Sequence, residues 1–155
     1  VGQPWSSAYK WNFMPDWCIF PETGARGQFD FMVKRMDLVN SYSGTVIWEL
    51  DGLQHFSRPI GKGDMPGRGW QEERRRDLHK VTLALEKGFS IVRILPVTMR
   101  EEGEHPAWMP KLKAVICSAL NSAPEIWLAE GEKYDEMAQD IAQDPYLRSI
   151  TLHRY

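Results

Sequence analysis

The sequence predicts a layered α/β protein built on a mixed β-sheet. Segments of strand-like and helix-like pattern follow one another in the order strand, strand, helix, strand, helix, strand, helix. Alternation of this kind lays helices against a sheet that is partly parallel. The length is 155 residues, of which 43% are hydrophobic. That is enough apolar surface for a real core and suits one domain rather than two.

Residues 1–27 are rich in Trp, Pro and Gly and show no clear period, so they read as an irregular arm packed by its aromatics. Residues 28–34, QFDFMVK, alternate and are rich in β-formers, which predicts a strand. Residues 40–44, NSYSG, predict a turn, and residues 45–51, TVIWELD, the next strand. Four glycines and two prolines in residues 57–69 predict a mobile loop. A helix is expected over residues 71–87, where Leu78, Val81 and Leu85 recur at three- and four-residue spacing, Ala84 joins them and Gly88 supplies the stop. Residues 89–95, FSIVRIL, form a short apolar strand, and 98–106 a polar loop. A helix fits residues 107–121 if Pro110 lies in its first turn. Residues 125–130 read as a strand and 133–143 as a helix.

Charge and cysteine content narrow the function classes. The formal net charge of −2 gives no global basic field, although a local groove can still be basic. Cys18 and Cys117 lie far apart and no Cys/His cluster accompanies them, which argues against structural zinc and for reduced thiols. No apolar run reaches the length of a membrane span, and the first residues lack the layout of a signal peptide. An intracellular protein without membrane contact is expected. It either acts alone or forms one domain of a longer chain.

The chemistry concentrates in "VIWELDGLQHF", residues 46–56. Strand side chains alternate, so Val46, Trp48 and Leu50 share one face while Thr45, Ile47, Glu49 and Asp51 share the other. Asp30 points opposite to its flanking phenylalanines in "FDF", and if the two strands pair it can lie beside Glu49. Carboxylates at that depth are costly unless something compensates them, and a divalent cation would. Magnesium prefers carboxylate oxygens, water and phosphate, and suits phosphodiester hydrolysis. His55, just past the strand, and Lys80, on the following helix, are candidate cations for the transition state. Glu73, Asp77 and Lys80 share one helix face beside the apolar stripe. Arg74, Arg75 and Arg76 fan around that helix, and one of them is expected to contact a nucleic-acid backbone. Gly88 and Arg93 are read as structural, with Arg93 pairing near the site.

"FDF", then "VIWELDGLQHF", then "RRRDLHKVTLALEKGFSIVRI" resembles the PD-(D/E)xK nuclease superfamily, and within it the branch near the very-short-patch repair endonucleases and related homing endonucleases. The resemblance covers roughly residues 28–96. It implies a three-layer, restriction-endonuclease-like core and cleavage of duplex or branched DNA with Mg²⁺, for which Mn²⁺ can substitute, in repair, recombination or a mobile element. It makes Asp30 the first metal ligand and Glu49 the second, with the Leu50 carbonyl as a further one. Asp51 stands where the wider superfamily has its lysine, so His55, Gln54 or Lys80 would take that role, and Gln54 could also touch the nucleic acid. The branch commonly has a further acid on a helix before the first strand, whereas the acids in that region here are Asp16 and Glu22. A homodimer is expected if both strands are cut symmetrically. An RNA-cleaving nuclease and an inactive nucleic-acid-binding module are the rival readings.

Overall fold

In the computed structural model, which describes residues 7–35, 44–51, 70–94 and 108–155, the chain forms a six-stranded mixed sheet with helices on both faces. The strands lie in sequence order: β1 (Ser7–Phe13), β2 (Phe29–Arg35), β3 (Thr45–Leu50), β4 (Phe89–Ile94), β5 (Ile126–Leu128) and β6 (Leu152–Arg154). The first three pair antiparallel, and β3 through β6 pair parallel. The helices are α1 (Trp70–Glu86), α2 (Trp108–Leu120) and α3 (Glu132–Gln143).

Every residue of β4, FSIVRI, is buried, as expected of a strand with parallel neighbours on both sides and helices on both faces. One face of the sheet meets α1 and α3, where Met32, Ile47 and Ile91 pack with Val81, Ala84, Leu85, Met137 and Ile141. On the other face Val33, Val46 and Val92 pack with Leu112, Val115, Ala119 and Leu120 of α2. Pro110 occupies the third position of α2, where a missing backbone N–H costs no intrahelical bond. Gly88 has φ +88°, and its N–H bonds the Leu85 carbonyl to end α1.

Two segments differ from the reading of the sequence. Residues 7–13 are an edge strand, not irregular arm, paired along β2 from Ser7↔Arg35 to Phe13↔Phe29. The Trp, Pro and Gly content of the whole arm obscures this stretch, which contains neither Pro nor Gly and alternates Tyr9, Trp11 and Phe13 with Lys10 and Asn12. β6 was likewise not anticipated; its three residues, Leu-His-Arg, carry no apolar run and are placed by pairing with β5. The turn at 40–43 and the loops at 57–69 and 98–106 lie outside the described residues.

The rest of the arm does pack through its aromatics. Phe13, Trp17, Phe29 and Phe89 meet with ring centroids 5.3–6.3 Å apart. Cys18 and Cys117 are free thiols. The Gly27 N–H bonds the Cys18 carbonyl at 2.7 Å, and a Cβ at Gly27 would lie 2.5 Å from Cys18 Sγ and 3.4 Å from the Phe20 ring. No described helix is long and apolar enough to cross a membrane.

Gly27→Ala should therefore destabilise the protein by about 1–3 kcal/mol through overpacking. Urea unfolding checks this, and the Gly27→Ala/Cys18→Ala double variant should lose less than the sum of the two single losses.

Candidate active site

The strand periodicity of β3 determines which side chains meet α1. Ile47 belongs to the α1-facing core, so Glu49, two residues on, projects to the same side at the strand's C-terminal end. Glu49 pairs in register with Arg93 of β4. On its other flank the antiparallel register runs to Phe31↔Trp48, so the next position brings Asp30 alongside Glu49. Asp30, Glu49 and Arg93 thus form a row across three strands beneath α1.

At the mouth of this row the backbone ladder between β2 and β3 gives way to a side chain. Asp30 Oδ2 accepts the Leu50 N–H at 2.8 Å, as a carbonyl would in a continued ladder. Glu49 Oε1 accepts a hydrogen bond from Lys80 Nζ of α1 at 2.7 Å. The two side chains are only 10% and 14% exposed. Lys80 Nζ also lies 4.7 Å from the centroid of the Phe29 ring. Burial raises the Glu49 pKa above its ordinary value, with Lys80 and then Arg93 opposing the shift.

Behind the mouth lies a second ionic group, fully enclosed. Arg93 Nε donates to Asp51 Oδ2 at 2.8 Å, and Nη2 donates to Asp51 Oδ1 at 2.5 Å. The same Nη2 is 3.3 Å from Asp77 Oδ1 of α1, and Tyr134 of α3 donates its O–H to Asp51 Oδ2 at 2.6 Å. Arg93, Asp51 and Asp77 are 1–3% exposed. Burial acts to lower the Arg93 pKa, but Asp51 and Asp77 override it and hold it well above its usual value. Burial, then Asp51, likewise pushes the Tyr134 phenol up, so it stays a donor.

The structure thus brings Asp30, Glu49 and Lys80 together at the mouth, and Asp51, Asp77 and Arg93 together behind it. Leu50 sits between them with its N–H held by Asp30, and its side chain packs on the α1-facing core rather than on the Val46 and Trp48 face that alternation predicts, because the strand ends here. His55 and Gln54 lie outside the described residues. Of the three arginines, Arg74 pairs with Glu136 and Asp140 of α3, and Arg75 pairs with Glu22 and Glu72. Arg76 stands over the Phe20 ring. The reading of the sequence missed Tyr134, because a lone tyrosine in an amphipathic helix carries no mark that separates it from a core residue.

The donor set suits a hard divalent cation. At the mouth two carboxylates, Asp30 and Glu49, face one cation, Lys80. Among the described residues no three His, Cys, Asp or Glu side chains converge to enclose a metal. Magnesium does not require such a cage: it commonly takes one or two carboxylates and completes its shell with water and phosphate oxygens. No family model, curated protein or solved structure matches the chain.

Replacing Arg93 by Leu leaves two buried carboxylates without their cation and should cost about 3–5 kcal/mol, read as the fall in unfolding free energy by urea titration. Glu49 gives a pH dependence of defined sign. Its folded pKa lies above the reference value of 4.5, so its contribution to stability is full below 4.5 and is lost as pH rises through the folded value. In the absence of divalent cations, Glu49→Gln should gain stability relative to the parent protein as pH rises from below 4.5 towards neutrality. Paired urea titrations along that pH range measure the slope.

Proposed function

We propose that this chain is a metal-dependent endonuclease that hydrolyses phosphodiester bonds in DNA, on a restriction-endonuclease-like version of the layered α/β fold. The observation that carries the reading is the mouth itself. A carboxylate on each of two neighbouring strands and a lysine from the covering helix meet at one partly accessible end of the sheet.

Asp30 and Glu49, with the Leu50 carbonyl, would hold Mg²⁺ or, in its place, Mn²⁺. When bound, the metal supplies neutralisation of the phosphate charge and acidification of a water at neutral pH. The protein's own groups do the rest. Asp30 keeps one oxygen on the Leu50 N–H, which fixes the other in direction. Lys80, held against Glu49 and the Phe29 ring, places an ammonium where negative charge develops on the reacting phosphate oxygens. Arg93 and Asp51 stay sealed behind this pair and hold β3 and α1 in position.

A binding module without catalysis is favoured by one feature: Lys80 already compensates Glu49. Cleavage decides between the two. With Mg²⁺, the protein should cut supercoiled plasmid, linear duplex or branched DNA in preference to single-stranded RNA, and EDTA should abolish the cutting. Asp30→Asn, Glu49→Gln and Lys80→Met should each lower the rate by about 10²-fold or more while circular dichroism shows an intact fold. Undiminished cleavage by Asp30→Asn would sink the assignment.

A further inference from the structure

The triplet Arg74-Arg75-Arg76 does not act as one basic patch. Arg74 is committed to Glu136 and Asp140, and Arg75 to Glu22 and Glu72. Arg76 differs. Among the described residues its guanidinium has no carboxylate partner, and it lies 4.3 Å from the centroid of the Phe20 ring. Phe20 is buried at 6% exposure, so its ring supports the guanidinium from behind. His79, the next residue but two along α1, is anchored as well. Its Nε2 donates to the Ile19 carbonyl at 3.2 Å, since a carbonyl oxygen can only accept. Together with Glu22 and Arg75, these side chains line a notch of about 80 Å³. Arg75 and Glu22 pair there at 2.8 Å, so among the residues that line the notch the charge left without a partner is that of Arg76; Glu72, 3.5 Å from Arg75, is not part of the lining.

Position gives the notch its meaning. Arg76 and Lys80 are four residues apart on α1, so they lie on the same side one turn apart, about 6 Å along the axis. A strand whose reacting phosphate sits at Lys80 therefore carries a neighbouring phosphate past Arg76. Each phosphodiester bears one negative charge, which one unpaired guanidinium matches, and the planar fork suits two of its oxygens.

We propose that Arg76, backed by Phe20 and flanked by His79, binds a phosphodiester of the DNA backbone adjacent to the one held at Asp30, Glu49 and Lys80. The proposal rests on the nuclease reading for its ligand, and it assigns to one arginine what the sequence leaves open among three. It concerns affinity and register along the strand, not base identity.

The test is fluorescence anisotropy of the full chain on a labelled DNA duplex, titrated across a salt series with Ca²⁺ in place of Mg²⁺. Arg76→Gln should weaken binding at every salt concentration and reduce the slope of log K against log salt by about 0.9, the value for one phosphate contact. Arg76→Lys should restore the slope. Arg75→Gln should leave it unchanged. Thermal unfolding of each variant confirms that the fold persists. An unchanged slope in Arg76→Gln, an equal loss in Arg75→Gln, or no DNA binding by the parent protein overturns the proposal. Failure of the nuclease reading looks different: Asp30→Asn would still cleave whatever Arg76 does. Intact cleavage with an unchanged salt slope removes this contact alone.

Discussion

The guanidinium of Arg93 is the interaction on which the rest of this structure depends. It is 2% exposed, and it is reached by Asp51 from the end of β3 and by Asp77 from α1. Tyr134 closes the group from α3. Four elements are thereby tied at one point. A buried ion group of this kind is a poor source of net stability, because desolvation offsets most of the attraction. Its effect here is positional. With Asp77 fixed on Arg93, the helical repeat carries Lys80, three residues on, over the sheet. With Asp51 fixed on the same guanidinium, the strand repeat sets Glu49, two residues back, on the same face. The contact between Lys80 and Glu49 at 2.7 Å follows from these two registers meeting.

The choice of arginine at position 93 follows from the same geometry. Its planar fork presents Nε and Nη2 to the two oxygens of Asp51 while Nη2 still reaches Asp77. A lysine would offer one point of charge and could not hold both carboxylates in fixed directions. Enclosure also separates two kinds of acid. Asp51 is satisfied three times over and sealed from water, so it has little capacity left for a ligand. Glu49 shares the desolvation but, among the described residues, has only Lys80 as a direct partner and an ionised form disfavoured by burial. A desolvated carboxylate beside a lysine at a sheet end is the kind of group that a bound cation would relieve.

Much of this was legible in the sequence because side-chain periodicity is local. Alternation in residues 45–51 was enough to place Glu49 and Asp51 on one face and Asp30 beside them once the strands paired. Apolar spacing in the helix was enough to set Asp77 and Lys80 on the side that meets the sheet. Partner choice was not legible, because it depends on chain segments far apart. Arg93 is expected from the sequence to pair near the site, but nothing near Asp51 marks it as the partner, 42 residues on, or announces Tyr134, 83 residues on. The same limit left the three arginines equivalent in sequence, although Asp140, Glu22 and Phe20 separate them in space. β1 escaped notice for a different reason: the tryptophans and prolines around it dominate the composition of a segment whose strand pattern spans only seven residues.

The distribution of charge over α1 ties these points to the proposed chemistry. Consecutive residues on a helix are turned by about 100°, so Arg74, Arg75, Arg76 and Asp77 face four directions. They meet α3, the arm, the notch at Phe20 and the buried guanidinium respectively. Of these three arginines, Arg76 alone has no carboxylate on it among the described residues. Two turns of the same helix therefore border regions of opposite sign: an excess of carboxylate at Glu49 and Asp30, and a lone cation at Arg76. A phosphate backbone would be repelled by the first and attracted by the second. A divalent cation on the carboxylates would reverse the first sign without disturbing the second, and only then would one continuous strand find a favourable field along the whole length. On the proposed reading, metal binding would precede productive binding of DNA, and Arg76 would set the register in which the strand arrives.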